Sequence, residues 1–155
     1  MTTSQDMSLD KSKPEVPNCY YRISIKALVL NETRDKFLVC QEDNKMWELP
    51  GGGLDWGETP HTDLPREIAE EMGLKTTSIA DHPSYFFTCT PEDNQLIKYA
   101  YVLYETTLES LDFTPSDECI AVDWISKENA SEFDLFPNVE IFVDIFDPER
   151  HEHKS

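Results

Sequence analysis

Between Gly51 and Leu74 the chain concentrates residue types that could hold a divalent cation: Glu58, Glu67, Glu70 and Glu71, one arginine, Arg66, and the glycines Gly51, Gly52, Gly53, Gly57 and Gly73. Glu67, Glu70 and Glu71 are spaced i, i+3 and i+4, so on a helix they share about one third of the circumference. Like charges at that spacing repel by a few tenths of a kcal/mol, and a bound cation removes the repulsion. Hard cations such as Mg²⁺ and Mn²⁺ take oxygen ligands and combine one or two carboxylates with water and substrate phosphate. The plainer reading of an EIAEE run is a solvated acidic face. The glycine-rich turn and the Trp56 loop at fixed distance from the acidic face favour a cation site.

The stretch Gly52 to Leu74 resembles the Nudix box of the Nudix (MutT-like) hydrolase family, G-x5-E-x7-R-E-U-x-E-E-x-G-U with U apolar. It matches at Gly52, Glu58, Arg66, Glu67, Ile68, Glu70, Glu71, Gly73 and Leu74, which are all the specified positions. The resemblance implies an α/β fold, the Nudix-type α/β/α sandwich with a mixed β-sheet between helices. It also implies hydrolysis of a pyrophosphate linkage in a nucleoside di- or triphosphate, or a nucleoside diphosphate derivative, by attack of water on phosphorus. Mg²⁺ is the implied cofactor, with Mn²⁺ as the alternative. Glu70 and Glu71 are the implied metal ligands, Glu67 a ligand or general base, Glu58 a further ligand often acting through water, and Gly51 a carbonyl ligand. Arg66 is expected to aim a box glutamate through a salt bridge.

The elements around the box must position these groups. Tyr20 to Leu30 and Phe37 to Gln41, rich in β-branched and aromatic residues, read as strands, and Trp47 to Pro50 as an extended entry to the glycine turn. Leu64, Ile68 and Met72 form an apolar stripe beside the glutamates, and Gly73 followed by Leu74 is a helix stop. Pro65 complicates the start of that helix. Thr59-Pro60 is a cap signal, yet a helix begun there would hold Pro65 in its interior, at the loss of a hydrogen bond. The expectation is a separate turn over Pro60 to Asp63 and a helix from Leu64 capped by Asp63. Downstream, Ile79 to Thr90 and Gln95 to Thr106 read as a hairpin around Pro91 to Asn94. An acidic loop over Glu109 to Glu118 precedes a strand at Ala121 to Ile125, and Pro137 to Phe146 reads as a second amphipathic helix.

Outside the box, the loop and strand Ser116 to Ala130 resemble the family's acidic loop, which makes Glu118 a candidate base or extra metal ligand; as a solvated loop carboxylate it would have no such role. Trp47, Trp56 and Asn138 are candidates for substrate binding. Asn138 resembles the position at which some family members read a base with an asparagine amide, and it also suits a helix N-cap.

A chain of 155 residues suggests one domain. Residues 1–17 read as a disordered N-terminal arm, 18–148 as a single Nudix hydrolase domain and 149–155 as a flexible tail, with His151 and His153 exposed and inert. The net charge of −18 argues against a basic nucleic-acid surface, so a small nucleotide is the expected partner and no extended nucleic acid. A homodimer stays open. No apolar run suggests a membrane partner. Cys19, Cys40, Cys89 and Cys119 have no C-x-x-C spacing, which fits a reducing, cytoplasmic location. Three functional classes are carried forward: a small-nucleotide pyrophosphohydrolase, an enzyme of RNA 5′ ends or dinucleoside polyphosphates, and a catalytically silent nucleotide-binding domain.

Overall fold

The computed structural model describes residues 20–90 and 97–153. The expected N-terminal arm and the turn at Pro91 to Asn94 lie outside the described residues. Among the described residues eight strands are seen: β1 (Tyr20–Leu28), β2 (Phe37–Gln41), β3 (Trp47–Glu48), β4 (Gly51–Gly53), β5 (Thr76–Ile79), β6 (Tyr85–Cys89), β7 (Ile97–Leu108) and β8 (Ala121–Ile125). Helix α1 (Pro60–Met72) joins β4 to β5, and α2 (Pro137–Ile145) follows β8.

One sheet runs β4-β1-β7-β5, with β6 also on β7; the other runs β3-β2-β8. Strands β1 and β7 pair in parallel, Tyr20 opposite Ile97 through Leu28 opposite Glu105. Along its free edge β7 takes β6, from Tyr85 opposite Leu103 to Cys89 opposite Tyr99, and then β5. Both are antiparallel; the β6–β7 pair bears out the expected hairpin partners, and β5 is an additional strand on the same edge.

Strand alternation sorts the core into two layers. Ile25, Ala27, Val29, Leu38 and Cys40 face Leu64, Ile68 and Met72 of α1. Their neighbours Leu28, Phe37 and Val39 face Val139, Phe142 and Val143 of α2. A mixed sheet structure with a helix on either side is the expected α/β/α sandwich. Among the described residues no helix is long and apolar enough to cross a membrane.

Two local expectations are corrected. Helix α1 runs unbroken from Pro60 to Met72 with Pro65 inside it, so no separate turn precedes it. Its cap is Thr59, whose hydroxyl accepts from the Thr62 N–H while Thr62 Oγ1 accepts from the Thr59 N–H, a reciprocal capping box. Asp63 is no cap: it is 2% exposed and its carboxylate accepts from the Asp55 N–H at 3.2 Å and from Arg66 Nε at 3.1 Å. The Thr59–Thr62 capping box and the Asp63–Arg66 pair offset the bond that Pro65 forfeits to the His61 carbonyl.

The second correction concerns the end of the chain. Pro148–His151 forms a 3₁₀ turn, and His151 is buried, its ring 2.7 Å from the Tyr85 hydroxyl and 3.5 Å from Glu105. It also stacks on Phe146. A side chain with an apolar ring face and two polar partners gains more from this pocket than from water, so residues 149–151 belong to the fold and not to a loose tail.

Candidate active site

Gly51, Gly52 and Gly53 of β4 lie against β1, with Lys26 opposite Gly51 and Ser24 opposite Gly53. Gly51 has φ of +127°, and a Cβ there would fall 2.2 Å from the Ile25 carbonyl oxygen, so only glycine fits. At Gly52 an added carbon would come within 2.8 Å of the Glu67 carboxylate. The glycine turn thus brings backbone directly against Glu67, the first glutamate of α1.

Glu71 turns inward. It is 7% exposed and accepts from the Gly51 N–H at 3.0 Å, while the Cys40 thiol lies 3.9 Å from its other oxygen. Burial pushes its pKa up to about 8, against the opposing pull of Lys26 and the Gly51 N–H. Burial also raises Glu67, although Arg66 pulls it back. Arg66 spans the outer face of the helix. Its guanidinium reaches Glu70 at 3.0 Å, Asp55 at 3.1 Å, Glu67 at 3.2 Å and Asp63. Hydrogen bonds to Asp63 and Glu70 hold its charge more firmly than an ordinary arginine's.

The remaining candidates are placed less closely. Glu58 bonds the Thr62 hydroxyl at 2.8 Å. Glu118 is exposed, but its loop is tied to α1: the Glu118 N–H donates to Ser116 Oγ, which donates to the Glu71 carbonyl at 2.8 Å. The Glu118 charge contributes to the upward shift of Glu71. Asn138 is buried and donates its amide to Glu48 at 2.6 Å; the N-cap of α2 is Phe136, so the capping alternative for Asn138 falls away. Trp47 packs edge-on against Phe133, whereas Trp56 is fully exposed without an aromatic partner among the described residues.

Among the described residues no three His, Cys, Asp or Glu side chains by themselves enclose a point where an ion could sit. The donor set nonetheless suits Mg²⁺ or Mn²⁺, being all hard oxygen: the Gly51 carbonyl and the carboxylates of Glu67, Glu70 and Glu71 around one turn. Two of these carboxylates have pKa values raised by burial, which a nearby cation would offset.

Residues 20–144 match the family model described as the NUDIX domain. The chain belongs to the Nudix family. A nucleoside triphosphatase NudI from Enterobacter sp. (strain 638) is 30% identical over 95 residues, 57% of this chain and 67% of that protein. A MutT-like protein from Streptomyces ambofaciens is 38% identical over 55 residues, 36% of either chain. An RNA pyrophosphohydrolase from Zymomonas mobilis is 35% identical over 65 residues, 41% of this chain and 42% of that one. The match thus spans well under half of these last two relatives. Among solved structures, the MutT protein from Methanosarcina mazei Go1 aligns with a TM-score of 0.62 at 25% identity, covering 88% of this chain and 100% of that one.

Sequence reasoning missed three members of this Nudix site: Asp63 and Asp55, which share Arg66 with the box glutamates, and Lys26. Lys26 left a trace in the sequence, a single charge set in the otherwise apolar run IKALVL.

Proposed function

We propose that this Nudix protein is a divalent-metal-dependent hydrolase of the pyrophosphate linkage in a small nucleotide, a nucleoside di- or triphosphate or a nucleoside diphosphate derivative. The observation that carries the reading is the Gly51–Glu71 junction: a buried carboxylate fastened to the glycine turn, with Glu67 and Glu70 beside it on α1. Glu70 and Glu71 with the Gly51 carbonyl are the proposed holders of Mg²⁺ or Mn²⁺, and Glu58 is a further, more distant ligand. When bound, such ions supply charge neutralisation and Lewis acidity at the phosphate.

The chain's own groups do the rest. Arg66 holds Glu67 and Glu70 in position by ion pairs. Glu67, half-buried and with a raised pKa, is the proposed general base, because a carboxylate held out of water takes a proton more readily than an exposed one. Glu118 is the competing candidate, on an exposed loop tied to α1. Glu67→Gln should lower turnover about 100-fold or more, and Glu118→Gln should leave it within a few-fold. The reverse ranking hands the base to Glu118. Trp56 offers an open aromatic face for a nucleobase, whereas Asn138, buried and bonded to Glu48, presents no free edge to one.

A second reading, action on RNA 5′ ends, is supported by the name of the Zymomonas mobilis relative. The net charge of −18 weighs against a long RNA, whose phosphates would be repelled. The intact set of box glutamates weighs against a catalytically silent domain. Release of phosphate or pyrophosphate from a panel of nucleoside triphosphates, nucleoside diphosphate derivatives and 5′-triphosphorylated RNA separates the three. Turnover of RNA alone would replace the first reading with the second.

A further inference from the structure

Lys26 is a charged residue in the middle of a core strand. It lies between Ile25 and Ala27, is 6% exposed, and donates its ammonium to the carbonyls of Leu49 at 3.2 Å and Gly51 at 3.3 Å. The same ammonium stands 3.9 Å from Glu48 Oε1, which also accepts from the Leu49 N–H at 2.8 Å and from the Asn138 amide at 2.6 Å. As a structural unit this cluster is satisfied. Its position gives it a second consequence, because the carbonyl it holds is the Gly51 oxygen of the proposed metal site. A divalent cation held by that oxygen would share it with the Lys26 ammonium, a group of like charge.

We propose that Lys26 is a positioning residue that acts as a tethered cation: it aims the Gly51 carbonyl and opposes divalent binding there until a polyphosphate substrate offsets the added charge. The inference rests on the metal-dependent reading above. Its sign holds whether or not Glu71 gives up a proton on binding, since a divalent ion in exchange for one proton still adds positive charge beside Lys26. Glu48 moderates the opposition, as the one carboxylate within ion-pair reach of the ammonium among the described residues.

The test measures Mn²⁺ binding by electron paramagnetic resonance of the free ion, with no nucleotide present and with a non-hydrolysable methylene analogue of a nucleoside triphosphate. Lys26→Met should tighten nucleotide-free Mn²⁺ binding roughly tenfold or more, and the gain should shrink when the analogue is present. Lys26→Arg, which keeps the charge, should return the affinity towards that of the natural protein. Glu48→Gln should loosen binding, because it strips Lys26 of its counter-charge. A purely structural Lys26 gives the opposite pattern: Lys26→Met weakens or leaves unchanged the Mn²⁺ affinity, and that result overturns the inference while the metal-dependent reading stands. If circular dichroism shows Lys26→Met to be unfolded, Glu48→Gln decides, and unaltered binding in that variant overturns the inference. Absence of Mn²⁺ binding in every form, the natural protein included, overturns both readings.

Discussion

Under the proposed function, the charge state of Glu71 would depend on what binds beside it. Its pKa of about 8 lies far above the ~4.3 of an unfolded glutamate, so between those values folding takes up a proton. Without metal, the stability that comes from the proton is full below about pH 4 and is lost as pH rises towards 8. A cation held by Glu71 would reverse the sign, because it would bind the ionised form. The rise in melting temperature caused by Mg²⁺ should therefore grow between about pH 6.5 and 8.5, and Glu71→Gln should abolish that growth. A Mg²⁺ effect independent of pH across this window would show that Glu71 is not a ligand. The glutamate itself was legible from i, i+3, i+4 spacing and a motif match. Its burial was not, because periodicity places Glu71 on an acidic face without saying that β4 closes over it. Lys26 escaped for the same reason, its partner Gly51 lying 25 residues away on a strand whose approach only the fold specifies, while Asp63 escaped because a helix expected to start after it hides its i, i+3 contact with Arg66.

At the scale of elements, α1 combines a strong start with a weak interior. Pro65 cannot donate to the His61 carbonyl, while the Thr59–Thr62 capping box and Asp63–Arg66 hold the turns on either side. Pro65→Ala should stabilise the protein by about 1–2 kcal/mol, the restored bond being partly offset by a more flexible unfolded chain. That corresponds to roughly 2–4 °C per kcal/mol in a thermal melt. A lower melting temperature would mean that the half-buried proline ring packs better than alanine. Thr59→Ala should cost about 1 kcal/mol, read in the same melt. The strands were legible by composition and alternation, and β1, β2, β8 and α2 lie where the residues suggested. The start of α1 was misjudged because a local rule about proline was weighed without the tertiary contact that Asp63 makes with Asp55 and Arg66.

Over the whole molecule, the end of the chain closes the α2 side of the sandwich. His151 touches Tyr85 of β6, Phe146 beyond α2 and Glu105 of β7, tying three parts of the fold together. Burial lowers its pKa although Glu105 pulls the other way, so the folded form favours the neutral ring. The stability it contributes is full above the unfolded value near 6.5 and is lost as pH falls below it. The melting temperature should drop between about pH 7 and 5, and less steeply in His151→Gln; equal slopes would assign the drop to other groups. The net charge of −18 acts on the whole surface and repels an anionic substrate. Moderate salt should therefore raise kcat/KM through screening of that repulsion, and a fall with salt would point to a basic docking patch instead. The proposal that the Gly51–Glu71 junction supports metal-dependent cleavage of a nucleotide pyrophosphate has a direct biochemical consequence. It is tested most directly by phosphate and pyrophosphate release from a broad nucleotide panel, with Mg²⁺ and with chelator, for the natural protein and Glu71→Gln. Release from at least one small nucleotide should need Mg²⁺ and fall about 100-fold or more in the variant. Release that persists undiminished in chelator or in Glu71→Gln, or no release from any member of the panel, would contradict the proposal.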